Sequence, residues 1–312
     1  MKIKANGLDI EVEDSGHVLN AAADPGPAVL LIMGLGMQLI AWPPELVQGF
    51  VNAGYRVVRF DNRDIGLSTR FDAATLSLNT ILGANGATRP PPYTLNDMAA
   101  DAVGVLDALQ IQKAHVVGVS MGGMIAQRMA LNARSRLLSL TCIMSSSGAT
   151  DLPRGKPEIM QAMLSGADGT DLQAALEHAV KLVQATSSPG FPPDMSRVRD
   201  NVTAAAARCR YPQGVLRQVA AARADGDRTA ALAGLRAPTL VIHGKADPLI
   251  PFACGEDLAR RIPGARLEAI DGMGHDLPLA LIPRLLTLMA GHFAAHSKPE
   301  QRASGVIAAR CA

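Results

Sequence analysis

A serine hydroxyl becomes a nucleophile when an imidazole takes its proton and a buried carboxylate fixes that imidazole's tautomer. The chain carries these three side chains in the order serine, aspartate, histidine. Ser120 lies in HVVGVSMGGMIAQ, where an apolar run meets G-x-S-x-G at Gly118, Ser120 and Gly122 and passes into a helical pattern. At such a strand-to-helix corner the serine is forced into a tight turn that lifts its hydroxyl above the sheet. Small neighbours are needed because adjacent backbones crowd the corner. The helix behind it turns a partial positive charge toward developing negative charge. In a chain with 29 glycines the five-residue pattern alone is weak, and the strand before it and the helix after it give it weight.

Asp247 follows the apolar run TLVIH in TLVIHGKADPLIP. His275 follows RLEAI in the glycine-rich stretch RLEAIDGMGHDLP. Both fall just past a strand, at the sheet edge that would carry Ser120, with His275 as base and Asp247 as its orienting acid. Other residues fit less well. His243 sits inside its strand and reads as a core histidine, while His115 opens the strand of Ser120 at the wrong end. His17, His178, His292 and His296 read as surface positions, as does His115, and Asp271 and Asp276 as solvated loop carboxylates. An oxyanion needs two backbone N–H donors. Met121, the residue after the serine, offers one. The other belongs to the loop MGLGMQLIAWP, with Leu35 preferred and Gly36 as the alternative.

These residues need a sheet to hold them. Strands are predicted at 28–33, 56–60, 114–119, 137–144, 239–243 and 266–270, mostly apolar on both faces, as in a parallel sheet covered by helices on each side. Residues 2–13 alternate like an antiparallel hairpin at a sheet edge. Helical patterns at 95–109 and 122–131 lie between strands. Strand and helix in repeated succession give an α/β class with a mostly parallel, doubly wound, eight-stranded sheet. One interval is too long for a crossover. Residues 149–234 read as a helical cap inserted before the penultimate strand, with Leu172, Leu176, Ala179 and Val183 on one helical face. The core then comprises 1–148 and 235–297, and 298–312 reads as a flexible tail.

The net charge of +2 and the scattered Lys and Arg leave no footprint for nucleic acid. No uninterrupted apolar run reaches membrane-spanning length, and no apolar segment follows the basic N-terminal residues as a secretory signal would. Cys142, Cys209, Cys254 and Cys311 have neither C-x-x-C nor Cys/His metal spacing, which points to thiols and a reducing cytoplasm, with no metal site.

The succession LIMGLG, FDNRDIGLST, YTLNDMAADAVGVLDAL, HVVGVSMGGMIAQ, TLVIHGKADPLIP and MGHDLP resembles the α/β-hydrolase superfamily over nearly the whole chain. NRDIGLS and GVSMGGMIAQ are most similar to bacterial carboxylesterases grouped with aclacinomycin methylesterase. The resemblance implies the α/β-hydrolase fold, ester hydrolysis without a cofactor, and the roles given above to Ser120, Asp247 and His275. Two departures stand out. Met33 replaces the common histidine before Gly34, and Asp64 stands where many relatives have glycine. Asp61, Arg63, Asp64 and Ser68 are expected to pin their loop by side-chain to backbone hydrogen bonds.

The Ala-, Leu- and Met-rich cap, with Met160, Met163, Phe191 and Met195, suits either an adaptable apolar pocket or plain packing. A small hydrophobic carboxylic ester is the expected substrate. Perhydrolase or carbon–carbon bond hydrolase chemistry on the same three residues stays open, as does a non-catalytic binding protein that retains the fold.

Overall fold

The structure is a computed structural model and describes residues 1–17, 26–72, 75–76, 90–165 and 171–297. Among these, eight strands form one sheet: β1 (Lys2–Ala5), β2 (Leu8–Asp14), β3 (Ala28–Ile32), β4 (Arg56–Phe60), β5 (Ala114–Val119), β6 (Leu137–Ile143), β7 (Thr239–Gly244) and β8 (Arg266–Ile270). Their order is β1-β2-β4-β3-β5-β6-β7-β8. The pairs β1–β2 and β2–β4 are antiparallel and the remaining pairs parallel. Strand β6 ends one residue earlier than its apolar run because Met144 turns to a φ of +42°, outside the extended region.

Strands β3, β5 and β7 are buried along their whole length, hence their unbroken apolar sequence. Successive side chains serve opposite layers. Leu30, Ile32 and Val116 pack with α2 (Leu95–Ala108) and α3 (Met121–Asn132). Val29, Leu31, Val117 and Val119 pack with α1 (Pro44–Asn52) and α10 (Ile282–His296), while α9 (Phe252–Arg261) joins β7 to β8. The stretch Leu279–His296 has the length and hydropathy of a bilayer span, which its interruptions by Pro283, Arg284 and His292 hid from a search for unbroken runs. Its buried stripe, Ile282, Leu285, Met289 and Phe293, packs against the sheet instead.

Between β6 and β7 the chain forms α4 (Pro157–Ser165), α5 (Leu172–Thr186), α6 (Met195–Arg208), α7 (Pro212–Asp225) and the single turn α8 (Thr229–Leu232). Leu172 opens α5 exposed, and the helix buries Val180 and Thr186 instead. These helices bond to loops that follow the C-terminal ends of parallel strands. Arg217 of α7 pairs with Asp64 after β4 at 2.8 Å, both side chains almost wholly buried. Arg208 of α6 pairs with Asp61 at 2.7 Å. Lys156 N–H donates to Pro248 O after β7 at 2.9 Å. The segment therefore lies across the edge where Ser120 emerges. The tail at 298–312 lies outside the described residues.

The loop after β4 is pinned as its composition suggests. Asp61 accepts Leu39 N–H at 2.7 Å and Leu67 N–H at 2.9 Å, and Ser68 donates to Asp61 O at 2.6 Å. Arg63 donates to the backbone Asp97 O at 3.2 Å and adds an ion pair with the Asp101 carboxylate, both on α2. Asp64 has a φ of +69°, a left-handed conformation that glycine adopts freely and aspartate tolerates. That explains why glycine suits the position, and what aspartate adds is the buried partner for Arg217.

Two histidines expected on the surface are buried. His115 stacks on Phe293 with ring centroids 4.5 Å apart, and its Nδ1 lies 2.8 Å from Ser139 Oγ. Its place at the start of the central strand β5 puts it under α10, the helix that carries the buried His292 on its inner face. His178 is half-buried, its Nε2 bonded to Ala162 O between α5 and α4. Burial, then the neighbouring His292 and His296, pulls His115 down to about 3. Burial, then His296, pulls His292 down to about 4. Both imidazoles are thus neutral in the fold, whereas the unfolded chain protonates them near pH ~6.5. The unfolded state then binds more protons below that value, so stability drops as the pH is lowered, by about 1.4 kcal/mol per pH unit and per histidine. The denaturation midpoint should hold above about pH 6.5 and drop steeply toward about pH 4.5, less steeply in His115→Gln. Equal slopes in the two proteins would refute the assignment.

Candidate active site

Ser120 sits between β5 and α3 with φ +56° and ψ −121°. Such a conformation costs on the order of 1–3 kcal/mol and persists only where its surroundings over-determine it. They do here. Ser120 N–H donates to Ile143 O at 2.9 Å, and Ser120 O accepts both Gly123 N–H and Ser145 Oγ–H at 2.9 Å. Two glycines are required by space. A Cβ on Gly118 would stand 2.2 Å from Gly122 O, and one on Gly122 would stand 2.1 Å from Ile32 O.

The structure brings the three expected side chains together. His275 Nε2 lies 3.1 Å from Ser120 Oγ, and His275 Nδ1 lies 2.7 Å from Asp247 Oδ2. With the proton on Nδ1, the imidazole donates to Asp247 and turns its Nε2 lone pair to the serine hydroxyl. The Asp247 side chain is fully buried, and its Oδ1 accepts Leu249 N–H and Ile250 N–H at 2.9 Å each. Those bonds leave Oδ2 to the histidine. His243 is fully buried, its Nε2 bonded to Ile250 O at 2.8 Å, as a core residue under the acid loop.

The loop after β3 runs beside the serine, and a Cβ on Gly34 would stand 3.2 Å from Ser120 Cβ. Gly36 N–H is engaged by Gln218 Oε1 at 2.9 Å. The N–H groups of Leu35 and Met121 have no acceptor among the described residues. Of the two donors weighed for this loop, Leu35 is the uncommitted one. Met33 is buried and keeps a role for its backbone, since its carbonyl accepts Asn62 Nδ2–H at 3.0 Å.

Asp276 is not the solvated carboxylate expected. It is half-buried and accepts from Ser188 Oγ, and burial raises its carboxyl above the usual range. Ser188 Oγ also accepts Gly274 N–H at 2.8 Å, so one hydroxyl touches both neighbours of His275. His275 N–H itself donates to Thr186 O at 2.7 Å, and Gly190 N–H donates to Gly272 O at 2.9 Å. The end of α5 and the chain after it hold the histidine loop by four bonds. Sequence reading passed over Ser188, because its partners lie 86 and 88 positions away. Asp271, by contrast, is exposed and pairs with Lys245. Phe191 packs against the α1 and α10 side of the core, while Met160, Met163 and Met195 are half-buried.

A family model described as alpha/beta hydrolase fold matches residues 27–279. Rhodomycin D methylesterase from Streptomyces sp. (strain C5) is 33% identical over 290 residues, which cover 86% of this chain and 92% of that protein. Rhodomycin D methylesterase from Streptomyces peucetius matches with the same identity and coverage. Among solved structures, an esterase from Exiguobacterium antarcticum superposes with a TM-score of 0.71 at 22% identity, covering 94% of this chain and 99% of the other.

Proposed function

The chain belongs to the alpha/beta hydrolase fold family, and from that premise we propose that it hydrolyses a small hydrophobic carboxylic ester through an acyl-enzyme on Ser120. Ester hydrolysis is supported by two methylesterase relatives at 33% identity over most of both chains. The observation that carries the mechanism is the continuous hydrogen-bond line from Asp247 through His275 to Ser120 Oγ.

Ser120 Oγ attacks the ester carbonyl while His275 Nε2 takes its proton, and Asp247 stabilises the imidazolium that forms. The carbonyl oxygen becomes an oxyanion facing the free N–H groups of Leu35 and Met121, at the N-terminus of α3. Collapse breaks the ester C–O bond, and His275 returns the proton to the departing alcohol. Water then attacks the acyl-enzyme, His275 again serving as base, and releases the carboxylic acid with Ser120 restored. The Leu- and Met-bearing helices α4 and α5 favour substrates from short and medium acyl esters to the methyl ester of a bulky ring system.

A fluorophosphonate probe and a series of p-nitrophenyl esters of increasing chain length test this reading. We expect one label per chain, on Ser120, and turnover that peaks at short or medium acyl length. Folded protein that takes no label and cleaves no ester would overturn it.

A further inference from the structure

Two amide hydrogens must aim at one point for the oxyanion to be held, and the loop's own turn bond, Met37 N–H to Gly34 O at 3.2 Å, steadies the peptide that carries Leu35 N–H but does not fix the Leu35–Gly36 peptide beside it. A residue far along the chain does so. Gln218 of α7 is fully buried, and both ends of its amide are engaged. Its Oε1 accepts Gly36 N–H at 2.9 Å, and its Nε2 donates to Arg63 O at 2.9 Å. The amide thereby joins the loop after β3 to the loop after β4. Val215, one turn earlier on α7, packs against Gly36, with Val215 Cγ2 3.3 Å from where a Cβ would stand. Arg217 beside it anchors the same helix to Asp64.

We propose that Gln218 is a positioning residue of the oxyanion hole. It takes the Gly36 N–H out of competition for the oxyanion and locks the peptide plane next to the one that carries Leu35 N–H. It touches no reacting atom. The inference rests on the reading of Ser120 and its oxyanion loop given above, and deepens it by assigning the hole's alignment to a helix outside the core sheet.

Gln218→Met keeps length and volume but removes both hydrogen bonds. With p-nitrophenyl butyrate we expect kcat to fall about 10- to 100-fold, less than the roughly 10²- to 10³-fold that losing a donor outright costs. KM should stay within about twofold, because the lost alignment serves the transition state more than the ground state. Affinity for phenylboronic acid, whose tetrahedral adduct with Ser120 places an oxygen in the hole, should weaken by the same factor as kcat. A purely structural role would lower the melting temperature and leave kcat and boronate affinity alone, and that result overturns the proposal. Should Gln218→Met not fold, Gln218→Asn, too short to span both partners, is read in the same way. Wild-type protein that takes no fluorophosphonate and cleaves no ester would sink the Ser120 reading. Labelling and turnover in the wild type, with an unchanged Gln218 variant, would sink the Gln218 inference alone.

Discussion

Ser120→Ala should lower kcat by roughly 10⁴- to 10⁶-fold while leaving ester binding close to wild type, because serine and base act as a unit and only oxyanion and binding contributions survive. The variant should fold as the parent does. Its backbone is fixed by Ile143 O, Gly123 N–H and Ser145 Oγ, none of which needs the Ser120 hydroxyl. The strain at φ +56° remains in the alanine variant, since alanine also carries a Cβ. Ser120→Gly removes that Cβ, so it should match alanine in lost activity yet unfold at higher denaturant, by about 1 kcal/mol after glycine's extra unfolded-state entropy is offset. Paired kinetics and denaturant melts check both halves. Turnover within tenfold of wild type in the alanine variant would end the case for Ser120, and a glycine variant less stable than alanine would show that the corner is relaxed.

Asp247→Asn should cost about 10⁴-fold in kcat, with the fold intact. In the parent, Asp247 Oδ1 takes two backbone N–H groups and Oδ2 takes His275 Nδ1–H. An asparagine keeps its Oδ1 on those backbone donors and must then present Nδ2–H to the ring. The imidazole answers with the other tautomer, its proton on Nε2 facing Ser120 Oγ, where it cannot accept. Fluorophosphonate labelling, which needs the same proton removed, should slow in parallel with turnover. Unchanged labelling with reduced turnover would place the role of Asp247 outside base orientation.

Local features were the legible ones. Ser120 announced itself because strand, glycines and helix are contiguous, and Asp247 and His275 because each follows a strand whose apolar run is plain. What escaped depends on distant partners. Burial of His115 follows from its strand's central place and from Phe293, 178 positions later. Asp276 reads as an ordinary loop acid until Ser188 is seen beside it. Arg217 and Gln218 look like surface residues of an alanine-rich helix, although two long polar side chains flanked by Leu216 and Val219 hint at buried polar anchors. Asp61 and Ser68 were readable in kind as loop-pinning side chains, whereas the arginines that meet Asp61 and Asp64 were not.

The four bonds between the α5 end and the histidine loop bear on how such enzymes could be re-engineered. Grafting a foreign helical segment between β6 and β7 to recruit a new ester would discard Thr186 O, Ser188 Oγ and Gly190 N–H along with the old pocket walls. Such chimeras should bind their new substrates yet turn them over sluggishly until those three contacts are rebuilt. Selectivity and catalytic vigour are then inherited together rather than as separable modules.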